Sequence, residues 1–184
     1  MPTFQNDNEI ERADLYKLVA TLFLQAPTND VIVELGGIIG GIKIEESAHV
    51  IGHDFHDLFV HNTVPLYDLF YNYPLGEAPK ILGRATLEVR RFYEAAGLTM
   101  GEELQIVPDH ISAELLFMSY LAANERIDER RTFIEEHLIK WVPVFCDAVW
   151  EHAKTGFYKQ IAILLEELVS SDYEHLRGGL IEGQ

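Results

Sequence analysis

The sequence contains very little cysteine, which restricts both its chemistry and its surroundings. The single cysteine, Cys146, cannot form an internal disulfide. It follows Trp141, Val142 and Phe145, so we expect a small buried apolar side chain and not a nucleophile. A chain of 184 residues can bury a core without disulfides or metals. We therefore expect a single domain over residues 1–184 in a reducing, cytoplasmic compartment.

Basic residues and long apolar runs are also scarce. Only 14 lysines and arginines oppose 30 acidic residues, which gives a formal net charge of −16. This charge repels nucleic acid and anionic membrane surfaces and favours a cationic partner, although solubility alone explains it equally well. No uninterrupted apolar run reaches the roughly eighteen residues of a membrane span, and no basic segment precedes an apolar run as in an export signal. We expect neither membrane insertion nor export.

Strand signals are missing, because no alternating run of useful length is bounded by hairpin turns. Apolar residues recur instead at helical spacing. The prolines Pro65, Pro74, Pro79 and Pro143 interrupt the chain too often for a simple up-and-down bundle, so we expect an all-α globule of roughly seven to ten helices. The predicted helical segments before residue 100 are 9–25, 28–35, 45–60, 66–71 and 85–96. Those after it are 108–122, 128–137, a stretch ending near 153 in which Pro143 bends or restarts the helix, and 155–173.

The most informative stretch is Pro108 to Ile111, at the start of a helix that is apolar nearly all round and is therefore expected in the middle of the fold. We expect Asp109 and His110 where this helix reaches the surface, with His110 able to pair with Glu114 four residues later. Neighbouring side chains on a helix point about 100° apart, so the pair cannot act as a catalytic dyad. They either face one external ligand or merely cap the helix.

Two further clusters suggest ligands. His49, His53 and His56 share a helix face, which is compatible with a divalent metal, but a solvated polar face explains them as well. The glycines between Gly36 and Gly41 lack the Gly-Lys-Ser/Thr ending of a phosphate loop, so a helix connection is favoured over a nucleotide site. We expect no cofactor.

Several segments together are similar to the TorD/DmsD/NarJ family of redox-enzyme maturation chaperones. Pro108–Leu121, with its Pro-Asp-His-Ile start and Glu-Leu-x-Phe-Met continuation, resembles the family signature. Phe133–Phe145 resembles its His-Leu-x-x-Trp-x-Pro-x-Phe segment. Asp54–Phe59, Pro65–Tyr71 and Thr86–Leu98 look like diverged forms of further family stretches.

The resemblance implies an all-α, non-catalytic, cytoplasmic chaperone. Such a protein holds the apo form of a molybdopterin oxidoreductase subunit, often by its twin-arginine signal peptide, until the cofactor is inserted. Two departures stand out: Val107 replaces the usual glutamate before the proline, and Asp68-Leu69 replaces a Glu-Ser pair. The expected peptide-binding residues are Asp109, His110, Glu114, Leu58, Phe59, Pro65, Tyr67, Asp68, Phe70 and Tyr71.

A twin-arginine peptide combines two guanidinium groups with an apolar run, and we expect it to meet carboxylates beside an apolar surface formed by Leu58, Phe59, Leu66, Phe70 and Tyr71. Asp109 would orient a client arginine, because a carboxylate and a guanidinium pair in bidentate fashion. The rival hypothesis is a small helical metal-binding protein that uses His49, His53 and His56. The sequence leaves open which reductase is the client, and whether the chain is a monomer or a domain-swapped dimer with hinges at Pro74–Gly83 or Asn124–Arg130.

Overall fold

A computed structural model describes residues 9–38, 44–71, 83–98 and 106–178. These residues contain eight α-helices and no β-strand, which confirms the predicted all-α class. π-helical turns follow α3 (His56–Val60) and α6 (Ile134–Leu138), and Asp68–Phe70 forms a 3₁₀ turn. The helices are α1 (Glu9–Leu24), α2 (Asn29–Ile38), α3 (Ala48–Phe55), α4 (Arg84–Ala95), α5 (Ile111–Ala123), α6 (Ile127–Phe133), α7 (Ile139–His152) and α8 (Gly156–Gly178).

Helix α5 is the central element of the fold, as its apolar circumference predicts. It packs along α1, and Ile111, Leu115, Met118 and Leu121 are completely buried. Glu114 lies on the same helix and is equally buried. A helix surrounded on all sides cannot place a polar side chain in water, so each polar group on α5 must find its partners inside the protein.

Helices α7 and α8 pack against each other and complete the core. Trp141 and Phe145 of α7 and Phe157 of α8 are fully buried. Cys146 is 2% exposed, which confirms its expected burial, and the loss of water raises the pKa of its thiol far above the usual value. None of the described helices is both long and apolar enough to cross a membrane.

Buried charges connect α1, α6 and α8. Arg130 is fully buried, and its guanidinium binds the carboxylate of Glu9, with Nη2 donating to Oε1 at 2.8 Å. The carboxylate of Asp172 forms ion pairs with Nε of Arg130 at 3.4 Å and with Nη1 of Arg12 at 3.3 Å. It also accepts a hydrogen bond from the hydroxyl of Tyr16 at 2.8 Å. Since each buried charge has an opposite charge beside it, this network links three helices without leaving an isolated ion in the core.

Pro143 lies inside α7, so the helix does not restart there. A proline ring in a regular helix meets the carbonyl of the residue four positions earlier, here Ile139. Ile139 directly follows the π turn, and its ψ is −17° instead of the usual value of about −42°. This rotation turns the Ile139 carbonyl away from its regular helical direction, and helix α7 continues past Pro143 to His152.

Other predicted boundaries have mixed outcomes. Gly97 has a φ of +80° and ends α4 as expected. Helix α6 begins at Ile127, one residue before the predicted start at 128. Nη1 of the preceding Arg126 donates to the carbonyl of Ala96 at 2.6 Å, which ties the Asn124–Arg130 joint to the end of α4. Of the Pro74–Gly83 loop only Gly83 falls within the described residues, and most of the glycine cluster and of the C-terminal tail lies outside them.

Candidate functional site

Two segments far apart in the sequence meet at the start of α5. The amide of Asp68 donates to the carbonyl of Asp109 at 3.0 Å, and the amide of Ile111 donates to the carbonyl of Leu66 at 2.8 Å. These bonds form an antiparallel bridge between Tyr67 and His110. The bridge brings together the two stretches that carry most of the predicted peptide-binding residues.

His110 caps α5, which begins at Ile111 and not at Pro108. Its Nδ1 accepts a hydrogen bond from the amide of Ser112 at 3.0 Å, and its ring meets the ring of Tyr67 edge to face at 5.1 Å. Burial lowers the pKa of His110 from 6.5 to about 4, so the imidazole is neutral at pH 7. The expected ion pair with Glu114 is wrong, because the side chain of Glu114 contacts a different histidine.

Asp109 is fully buried, so the expectation that it lies where the helix reaches the surface is wrong. Its two carboxylate oxygens make no hydrogen bond to any described residue. A buried carboxylate without donors is costly, and such groups in native proteins commonly serve a ligand or a functional role. Its role in peptide binding stays a prediction.

Glu114, Asp68 and His137 form a buried polar cluster around the start of α5. Nε2 of His137 lies 3.0 Å from Oε1 of Glu114 and 3.7 Å from Oδ2 of Asp68. On the other side of Glu114, Nε1 of Trp141 donates to Oε2 at 3.2 Å. Burial raises the pKa of Glu114. Burial also opposes the charged form of His137, but the carboxylates of Glu114 and Asp68 outweigh it and raise its pKa.

Sequence reasoning did not assign roles to His137 and Trp141. Both lie in the Phe133–Phe145 stretch that resembles the family, and their spacing of four residues places them on one helix face. That spacing was the available signal. Their partner Glu114 lies on another helix, and periodicity within one helix carries no information about such a contact.

One proline and three aromatic residues of the 65–71 segment form the partly exposed portion of the site. Pro65, Tyr67, Phe70 and Tyr71 are all half-buried. The hydroxyl of Tyr71 donates to the carbonyl of Pro65 at 2.8 Å, and its ring stacks on Trp141 at a centroid distance of 5.8 Å. This arrangement holds the segment against the buried cluster.

Leu58 and Phe59 do not contribute to that surface. They are 1% and 7% exposed, and the ring of Phe59 packs edge to face against Phe23, Phe55 and Tyr158. The expectation of a surface position is therefore wrong for both, since their apolar side chains gain more by burial in the core. Leu66 is also buried.

The histidine-rich face of α3 does not form a metal site in the part of the chain that the structure describes. His49 and His53 touch edge to face, and both are exposed, as is His56. Asp54 is buried and accepts from the amide of Thr155 at 2.8 Å, so it caps α8. Among the described residues, three donor atoms come within 4.8 Å of one another only in the cluster of Asp68, Glu114 and His137.

A pocket of about 490 Å³ opens beside this cluster. His137 and Phe92 lie in its wall, together with the basic residues Arg84, Arg91 and Lys140. Glu88 and Glu136 also line it, and Arg84 is paired with Glu88 at 2.6 Å. The pocket therefore connects solvent to the edge of the buried polar cluster at His137.

A helical fold that holds a polar cluster beneath a partly exposed aromatic segment is suited to binding another molecule. The sequence profile of the nitrate reductase delta subunit family matches residues 24–147. The chain belongs to this family. Its members are assembly chaperones and not catalysts, so the predictions of a maturation chaperone and of no enzymatic activity are confirmed.

Individual proteins support the same assignment. The chain is 30% identical to the perchlorate reductase assembly chaperone protein of Dechloromonas aromatica (strain RCB) over 102 residues, which cover 49% of this chain but only 46% of that protein. It is 25% identical to the chaperone protein TorD of Aliivibrio fischeri over 178 residues, covering 91% and 81%. A redox enzyme maturation protein from Archaeoglobus fulgidus has the same fold, with a TM-score of 0.57, 23% identity and coverage of 91% and 97%.

Proposed function

We propose that residues 1–184 form a single cytoplasmic chaperone domain that binds the apo catalytic subunit of a molybdopterin oxidoreductase. It holds the twin-arginine signal peptide of this client and assists cofactor insertion and assembly before export. The supporting observation is the meeting of the Pro65–Tyr71 and Pro108–Ile111 segments at one backbone bridge, beside a carboxylate that has no donor among the described residues.

Apolar contact contributes only part of the binding. The half-buried side chains of Pro65, Tyr67, Phe70 and Tyr71 offer a surface for the apolar run of a signal peptide. Burial of three or four apolar peptide side chains yields roughly 5–10 kcal/mol, whereas association and ordering cost roughly 4–15 kcal/mol. Charge pairing must therefore decide orientation and specificity, and the net charge of −16 attracts a peptide with two arginines.

Asp109 is the proposed partner of one client arginine. Its carboxylate is buried, so the guanidinium reaches it only when the covering residues move aside. Two backbone hydrogen bonds hold the Pro65–Tyr71 segment over this region, and both can break without unfolding α5. Binding coupled to such an opening has an association rate below that of a preformed surface site.

The test is a pair of substitutions measured by calorimetry with a synthetic twin-arginine peptide. Asp109→Asn keeps the shape but removes the charge, and we expect at least a tenfold loss of affinity, because a charge-assisted bond contributes about 1.5–3 kcal/mol. Asp147→Asn, at an exposed position on α7, is the matched control and should leave the affinity unchanged. Equal affinities for Asp109→Asn and the wild type would disprove the assignment.

The client itself is tested separately. Immobilised protein should retain an apo reductase subunit with its signal peptide, and retain it less well once both arginines are changed to lysine, since lysine cannot form the bidentate pair. Capture that is equal for both peptides would argue for recognition of another part of the client. The proposal holds for a monomer or for a domain-swapped dimer.

A further inference from the structure

We propose that Asp68, Glu114 and His137 bind one divalent metal ion of borderline hardness, in the range from Mn²⁺ to Zn²⁺. Carboxylate oxygen suits Mn²⁺ and imidazole nitrogen suits Zn²⁺ and Fe²⁺, so a set with two carboxylates and one histidine fits ions of this range. The site is distinct from the histidine face of α3 and does not depend on the proposed client.

The two measured donor–donor distances lie within or just above the range found around one ion. Ligands held at about 2.0–2.2 Å from a metal lie roughly 3.0–3.6 Å from one another in tetrahedral or octahedral geometry. Nε2 of His137 is 3.0 Å from Oε1 of Glu114 and 3.7 Å from Oδ2 of Asp68. One donor atom from each of the three residues lies within 4.8 Å of the others. Only small side-chain shifts are required to bring all three onto a common ion.

The contact between Glu114 and His137 is close but poorly aligned, since Oε1 and Nε2 lie 3.0 Å apart without an aligned hydrogen bond between them. All three side chains are at most 2% exposed. A buried ion pair without an aligned bond compensates poorly for the loss of water, and coordination of one ion by both atoms satisfies them better.

The charge balance favours a dication. Asp68 and Glu114 carry two negative charges when ionised, and coordination requires a neutral imidazole. A divalent ion neutralises this set. Asp109, which is completely buried and has no hydrogen-bond partner among the described residues, adds to the negative potential at Glu114 and so favours a cation there.

The surroundings hold the ligands in place and give access to them. Trp141 donates to the second oxygen of Glu114, the kind of bond that orients a carboxylate in metal sites. The backbone amide of Asp68 is fixed by the carbonyl of Asp109. His137 lies in the π-helical turn and in the wall of the 490 Å³ pocket, through which an ion can enter.

The wild-type protein itself provides a test that requires no ligand substitution. The chain has two tryptophans, Trp141 beside Glu114 and the half-exposed Trp150, which is about 13 Å farther along α7. Trp150→Phe assigns the two indole N–H signals. After chelator treatment, one equivalent of Zn²⁺ should shift the Trp141 signal, and Mn²⁺ should broaden it before that of Trp150. An unchanged Trp141 signal at tenfold excess of both ions would overturn the proposal.

Substitutions then identify the ligands. Glu114→Gln and His137→Gln should each weaken Zn²⁺ binding by more than tenfold in calorimetry, since even changes in the second coordination sphere have effects of about 10–100-fold. His53→Gln, on the exposed face of α3, is the matched control and should bind like the wild type. Binding that survives both core changes, or that is lost with His53→Gln, would contradict the site. If the core variants do not fold, the tryptophan signals of the wild type decide.

Discussion

Replacement of His110 by asparagine should make the protein less sensitive to mild acid. Asparagine retains a side-chain acceptor for the amide of Ser112 but does not titrate in this range. The native state holds His110 with a pKa of about 4, against 6.5 for an unperturbed histidine. As the pH falls below 6.5, His110 therefore binds a proton in the unfolded state but not in the native state. The part of the unfolding free energy that depends on a neutral His110 is fully present above pH 6.5 and is lost as the pH falls towards 4.

The magnitude follows from these two pKa values. Between pH 7 and pH 5 the wild type should lose about 2 kcal/mol of unfolding free energy relative to His110→Asn. Glu114, Asp172 and His137 also titrate abnormally, but they are common to both proteins, so their effects cancel in the difference.

The assay is urea denaturation of both proteins at pH 7, 6 and 5 in the presence of a chelator, followed by circular dichroism. The difference between their unfolding free energies should change steadily across the three pH values in favour of the variant. A difference that stays constant within about 0.5 kcal/mol would refute a neutral, buried His110, because an imidazole with an ordinary pKa gives no differential proton uptake.

Three further predictions concern stability and reactivity. Arg130→Met should cost about 3–5 kcal/mol in urea denaturation, because it leaves the buried carboxylate of Asp172 without its main partner, and a loss below 1 kcal/mol would contradict the network. Asp54→Ala should cost about 0.5–2 kcal/mol in thermal unfolding by removing the cap on Thr155, with no change in peptide affinity. Cys146 should react with a thiol reagent only in denaturant, since burial raises its pKa, and rapid labelling of the native protein would show that the packing around it is open.

The helices were predictable because their signals are local. The apolar circumference of α5 indicated its burial, and Gly97 marked the end of α4, since a left-handed residue there favours glycine. The π turns were not predictable, because the periods of α- and π-helices are too similar to separate in short stretches. Pro143 was misleading because a helix tolerates an internal proline only where the local backbone allows it, and the sequence does not show that backbone.

The candidate site was predicted only in part. Asp68 and Asp109 were identified from the residues and the family resemblance, but their burial was not, because polar side chains at a helix start are usually solvated. The pairing of Glu114 with His137 instead of His110 depends on how α5 packs against the π turn after α6. Contacts between distant helices of this kind are set by tertiary packing, and spacing along one helix does not encode them.

The π turn at Ile134–Leu138 contains one residue more than a regular α-helix needs, and that extra residue helps to shape the buried cluster. Such a turn corresponds to a single-residue insertion into an α-helix, and removal of one residue there would restore regular α-helical geometry. Because the π turn accommodates its extra residue locally, the deletion would leave Trp141 on nearly the same face, beside Glu114 and the ring of Tyr71. His137 lies inside the turn, so its direction towards Glu114 and Asp68 is what the deletion would change. A one-residue gap at this place in a related sequence would therefore mark a protein whose buried cluster is built differently, even where every signature residue is retained.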